Sequence, residues 1–170
     1  VSTSTSGAVT NYHYAKMGHI TGNFIGNSSI SWGGAISNEG TIASITGDFI
    51  DNTGAIYNGG MGTIGDITGN FINNHSIKKD GGAIVNYKEI GSITGNFLNN
   101  RSDENGGAVF NDANKSIGHV TGDFIGNSAQ KSGGAIYTMS NMNFASGSGT
   151  HFMSGNYTED SRGKIYNAVY

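Results

Sequence analysis

The chain has 170 residues, a net charge of −3 and only 12% charged residues, with no basic run, which argues against nucleic acid as a partner. It contains no cysteine, so disulfides and thiolate chemistry are excluded, and no proline, so every backbone N–H is free to enter a hydrogen-bonded ladder. No stretch approaches the ~18 apolar residues of a membrane helix, and Val1 opens no basic, apolar leader; an export signal would have to lie outside this sequence.

In chain order the first element is Gly7-Ala8-Val9, with Asn11 behind it. Next comes a phrase, Ile20-Thr21-Gly22-Asn23-Phe24-Ile25-Gly26-Asn27, which returns at 45–52, 67–74, 93–100 and 120–127. Its starts are 25, 22, 26 and 27 residues apart, so a fixed block recurs between turns of variable length. Each phrase is followed by a Gly-Ala step: Gly33-Gly34-Ala35-Ile36, Gly54-Ala55-Ile56, Gly81-Gly82-Ala83-Ile84, Gly106-Gly107-Ala108-Val109 and Gly133-Gly134-Ala135-Ile136. Gly163-Lys164-Ile165 continues that series loosely. A weaker segment precedes each phrase, as in Gly40-Thr41-Ile42 and Gly62-Thr63-Ile64.

Within the phrase, apolar and polar residues alternate with period two, the signature of a strand with Ile20 and Phe24 on one face and Thr21 and Asn23 on the other. Three short strands per coil of roughly 20–28 residues define an all-β fold, a right-handed parallel β-helix of about seven coils. Leucine-rich repeats are excluded by the single leucine, Leu98. Stacking places Phe24, Phe49, Phe71, Phe97 and Phe124 in one interior file, answered by small Gly-Ala pairs on the opposite wall. Two asparagine columns follow: Asn27, Asn52, Asn74, Asn100 and Asn127 close the phrase, and Asn11, Asn38, Asn58, Asn86 and Asn111 follow the Ala-Ile strand. Both read as turn ladders, because asparagine tolerates left-handed backbone and its amide bonds to its like above and below. Asn-x-Ser/Thr triplets at Asn27, Asn74, Asn100, Asn114 and Asn156 offer a competing reading as glycan acceptors.

The chain reads as a single β-helical segment over 1–170, regular over 7–138, with a degenerate last coil at 139–170 that includes Phe152 and Asn167. Neither end carries a capping pattern, so the segment is expected to be part of a longer protein, or to self-associate through its uncapped ends.

Together the two motifs have a counterpart. Phe24-Ile25-Gly26-Asn27 and its four copies, alternating with Gly-Gly-Ala-Ile/Val at 33–36, 81–84, 106–109 and 133–136, resemble the paired Phe-x-x-Asn and Gly-Gly-Ala-Ile/Leu/Val repeats of the chlamydial polymorphic membrane proteins. The resemblance covers about residues 7–138. It implies an autotransporter: a surface-exposed right-handed β-helical passenger, carried out through its own outer-membrane barrel, that acts as an adhesin. The chain departs from that pattern in lacking the barrel, in lacking cysteine and in having Thr53 where a first glycine is expected.

The function expected is therefore attachment to a surface receptor or glycan on a host or neighbouring cell, by a protein that is outer-membrane-anchored or secreted. The loops at 28–32, 75–80, 101–105 and 128–132 vary most between coils, and Trp32, Lys78, Lys79, Arg101, Asp103 and Glu104 are the candidate recognition residues. End-to-end stacking into a filament is the alternative. A carbohydrate-active enzyme would require clustered carboxylates, whereas Asp48, Asp51, Asp66, Asp80, Asp103 and Asp123 are scattered among coils. An ice-binding face would use the row Thr21, Thr46, Thr68, Thr94 and Thr121, beside which Asp48 and Asp123 would be disruptive. The histidines, His13, His19, His75, His119 and His151, have no paired ligand spacing; no metal, cofactor or catalytic residue is expected.

Overall fold

The computed structural model describes residues 7–140, 142–144, 153–160 and 163–166, and every regular element among them is a strand. Three parallel sheets wrap one hydrophobic core. The first is the Ala-Ile sheet: Val9–Asn11, Ile36–Asn38, Ile56–Asn58, Ile84–Asn86, Val109–Asn111 and Ile136–Thr138. The second contains the longest strands, Lys16–Thr21, Thr41–Thr46, Thr63–Thr68 and Ser116–Thr121, with the rung Glu89–Ile90 and Ile93–Thr94 split at Gly91 and the last rung at Met142–Phe144. The third contains Phe24–Ile25, Phe49–Ile50, Phe71–Ile72, Phe97–Leu98, Phe124–Ile125 and Met153–Ser154.

Like residues pair with like across the rungs, as in Phe49↔Phe71, Ile84↔Ile56 and Thr46↔Thr68. Phe49, Phe71, Phe97 and Phe124 are fully buried, and successive rings from Phe24 to Phe124 stack with centroids 4.5–4.9 Å apart and planes within 6°. Burying one such ring stabilises the fold by about 1.5–3 kcal/mol, to which ring stacking adds about 0.5–1.5 kcal/mol. Met153 pairs with Phe124 at the head of this file; Phe152, expected in the last coil, lies outside the described residues, as do Asn167 and His151.

The structure corrects the expected coil in four respects. First, the described residues form six rungs, hence about five turns, rather than seven coils. The copy counted at Gly163-Lys164-Ile165 is no rung of the Ala-Ile sheet; Gly163–Tyr166 pairs antiparallel with Tyr157–Asp160. Second, the weak segment and the first half of the phrase form one continuous strand in four coils, the rung at 89–94 being the split one. The phrase itself is broken at its glycine, because Gly22, Gly47, Gly69, Gly95 and Gly122 hold φ between +135° and +153°. A Cβ on Gly47 would stand 2.0 Å from the carbonyl oxygen of Gly22, so conformation and space both require glycine. Ile20 and Phe24 reach the same interior from two sides of this corner, not from one strand.

Third, the glycine of each Gly-Ala step is set by backbone rather than by aromatic rings opposite. A Cβ on Gly82 would meet the Gly107 carbonyl oxygen at 2.0 Å, and one on Gly107 the Gly134 carbonyl oxygen at 2.0 Å. Fourth, a short fourth sheet joins from the third coil onward: His75–Ser76, Arg101–Ser102, Ser128–Ala129 and Tyr157–Asp160, all parallel, closed by the antiparallel Gly163–Tyr166.

Both asparagine columns are ladders. Asn74 shows the bonding of the phrase column in full. Its Nδ2 donates to Asn100 Oδ1 and to the Phe49 carbonyl, both at 2.9 Å, while its Oδ1 accepts from the backbone N–H of Asn52 at 3.0 Å and from Asn52 Nδ2 at 2.9 Å. The column extends one rung beyond the sequence expectation, since Asn127 Nδ2 donates to Asn156 Oδ1 at 2.9 Å. In the second column Asn11, Asn38, Asn58, Asn86 and Asn111 link at 2.8–2.9 Å, each Nδ2 to the next Oδ1, and Thr138 ends the series. Every amide is oriented the same way, so Asn11 Oδ1, first in line, is buried with no partner among the described residues. Among the five glycan triplets, Asn27, Asn74, Asn100 and Asn156 are ladder members, whereas Asn114 is exposed.

A cleft in the loop face as the candidate functional site

The loop between the phrase and the Ala-Ile strand decides the outer surface. It spans 28–34, 75–82, 101–107 and 128–134 in four coils but only 53–54 in the second. The long loops stack as the repeats do. Ser102 Oγ donates to the Lys79 carbonyl at 2.8 Å, and Asp80 Oδ1 accepts from the backbone N–H and side chain of Asn105, both at 3.0 Å. Where the second coil supplies Thr53 and Gly54 alone, one layer is missing from that stack. The gap is a cleft of about 380 Å³, with residues 28–33 as one wall, 76–79 as the other, and Thr53 and Gly54 between them.

Trp32 and Lys79 face each other across it. Lys79 Nζ lies 4.9 Å from the Trp32 ring centroid and donates to the carbonyls of Ile30, at 3.1 Å, and Ser31. Burial pushes the Lys79 ammonium below its usual pKa. Trp32 in turn stacks on Tyr57 at 5.3 Å and meets the edge of Tyr87 at 6.0 Å. From there an outer aromatic file continues over the Ala-Ile sheet through Phe110 to Tyr137. Within it the Tyr87 hydroxyl is pushed up to about 12, chiefly by burial and then by the charges of Asp80 and Asp112 and by Tyr57. On the other side of Trp32 lies a smaller hollow of about 220 Å³, lined by Tyr12, Glu39 and Tyr57 among others.

The structure divides the six candidate recognition residues into two groups. Trp32, Lys78 and Lys79 line the cleft. Arg101, Asp103 and Glu104 sit one layer up, tying loops together. Asp103 accepts from His75 Nε2 at 2.9 Å and from the Lys78 backbone N–H at 3.0 Å, with Arg101 Nε 3.7 Å away. Burial alone would raise the Asp103 carboxyl, but the His75 and Lys78 hydrogen bonds and the His75 and Arg101 charges hold it below the usual value. Glu104 pairs with Lys131 of the following loop. Ile30 and Ile77, large exposed apolar side chains on opposite walls, were not among the candidates. The signal for the cleft was in the sequence as the 22-residue spacing and the lone glycine at 54.

Away from the cleft, Glu39 pairs with His13 at 3.0 Å, while Asp48 and Asp66 hold backbone of the next rung. Asp48 Oδ1 accepts from the backbone N–H of Asn70 at 2.8 Å, and Asp66 Oδ1 from that of Ser92 at 2.9 Å. Among the described residues, no group of three or more His, Asp or Glu gathers as metal ligands. The Thr21, Thr46, Thr68, Thr94 and Thr121 row lies in register on the outer face of the second sheet.

Three segments, 21–39, 94–112 and 122–139, match the Chlamydia polymorphic membrane protein repeat. Each runs from the phrase through a seven-residue loop to the Ala-Ile strand. Comparisons with curated proteins and with solved structures found no significant match. Repeat and fold together fit a surface β-helical repeat protein.

Proposed function

We propose that this chain is a non-catalytic segment of an autotransporter-like adhesin, displayed at a cell surface and attaching to a receptor or glycan of another cell through its loop face. The reading is supported by the membrane-protein repeat and carried by one observation. The cleft around Trp32 and Lys79 joins exposed apolar side chains to an aromatic ring and two cations, the composition of a recognition site. Its test is attachment of the purified, labelled chain to cultured cells. Trp32→Ala is expected to weaken attachment about tenfold, the effect of a central contact, while Thr46→Ala on the second sheet leaves it unchanged. Equal attachment by both variants refutes a loop-face site.

End-to-end stacking remains a second reading on one observation, the buried Asn11 Oδ1 and Thr10 Oγ1 at the first rung, which have no partner among the described residues. A second copy continuing the ladder would supply a donor there. Light scattering across a concentration series tests it: growth of long particles supports stacking, and a constant mass rejects it.

A further inference from the structure

The geometry points to the ligand of the Trp32–Lys79 cleft as an acidic sugar, a pyranose ring bearing one carboxylate; this rests on the adhesive reading above and specifies its ligand. Three features of the cleft converge on that chemistry. The first is charge: Lys78 and Lys79 line the cleft and no carboxylate does. Lys79 Nζ has carbonyl oxygens and a ring for partners, which orient the ammonium without neutralising it. An entering carboxylate would form a charge-assisted hydrogen bond where water is partly excluded.

The second is the apolar lining. Trp32, Ile30 and Ile77 surround the opening, and the two isoleucines are 68% and 52% exposed, so they are free to cover the C–H face of a ring. The third is hydroxyls. Ser28 and Thr53 face the gap with Thr53 Oγ1 only 3.5 Å from Ser28 Oγ, a long contact that leaves both able to bond to a polyol. A plain inorganic anion would leave the isoleucines and Trp32 unused, and a neutral sugar would leave the two lysines unused. At about 380 Å³ the cleft is within the range of small-ligand sites. Lys79 now crosses it as a strap between loops 48 and 49 residues apart, and the carboxylate draws its ammonium away from the Ile30 and Ser31 carbonyls.

Trp32 is the only tryptophan, so its fluorescence reports on the cleft directly. Titration with 3′-sialyllactose is expected to give a saturating change that lactose and inorganic phosphate do not. Lys79→Met should raise the dissociation constant about tenfold or more, the loss of one charge-assisted contact, while Lys79→Arg retains most of the affinity. Denaturation midpoints of each variant confirm that the fold is intact. The inference is overturned if lactose binds equally, if phosphate or an oligoglutamate peptide competes as well as the sugar, or if Lys79→Met binds as the parent does. If no sugar binds yet cell attachment still falls with Trp32→Ala, only the ligand class is wrong. If attachment ignores Trp32, the adhesive reading itself fails.

Discussion

Two files of aromatic side chains run along this solenoid, one inside and one outside, and they are built by different rules. The inner file repeats one residue in one slot, so Phe49, Phe71 and Phe97 meet with planes within 4° of parallel. In the outer file Tyr57, Phe110 and Tyr137 share one slot of the Ala-Ile strand, which Val85 fills in the coil between, while Trp32 and Tyr87 come from outside the strand, and the rings meet at angles from 2° to 85°. Translation by one rung dictates the first. The second keeps that rule between Phe110 and Tyr137 and breaks it at Trp32, which reaches Tyr57 and Tyr87 from a loop of the preceding coil. Regularity inside supports stability, and irregularity outside supplies a surface that differs at every level.

If that division holds, variants should separate accordingly. The largest effect is expected from Phe71→Ala, which opens a cavity between two stacked rings and should cost about 3–5 kcal/mol in denaturant unfolding. Next is Asn100→Asp, which removes the amide hydrogens that now bond the Phe71 carbonyl and Asn127 Oδ1. Asn127 Oδ1 keeps the Asn100 backbone N–H at 2.9 Å, so the group left without this donor is the Phe71 carbonyl, at a cost of about 1–3 kcal/mol measured in the same way. A smaller effect, visible only in acid, belongs to Asp103. Its folded pKa is depressed, so its contribution to stability is fully present above the ordinary carboxylate value and is lost as pH falls below about 4. Asp103→Asn should abolish that component of the acid sensitivity, read as unfolding midpoint against pH. Smallest is Asp48→Asn on the outer row, expected within about 0.5 kcal/mol of the parent. There the carboxylate serves only as an acceptor, its Oδ1 taking the Asn70 backbone N–H at 2.8 Å and Asn70 Nδ2 at 3.1 Å, and the amide Oδ1 of Asn70 already plays the same part toward the Asn96 backbone N–H.

The last contrast explains what could be read in advance. The Phe file and both asparagine ladders follow from rung-to-rung identity, which periodicity exposes. Asn156 was missed as a ladder member because its neighbours lack the phrase, yet it accepts from Asn127 as the others do. The corner at Gly22 was hidden because a strand bent at glycine retains the alternation of a straight one. Gly163-Lys164-Ile165 misled for the converse reason: composition matched the repeat while the backbone reversed direction. The cleft was half legible. Trp32, Lys78 and Lys79 were selected as loop residues, but their convergence depends on the absence of a layer at Thr53-Gly54, and an absence carries no motif.

That absent layer has an evolutionary corollary. In a globular protein a new pocket usually requires several coordinated substitutions. Here, deletion or insertion of a few codons at a single turn opens or shuts a binding niche, because the scaffold on either side is indifferent to what the turn contains. Grafting a seven-residue turn in place of Thr53-Gly54 would restore the unbroken wall, turning niche location along the rod into a matter of which coil is trimmed.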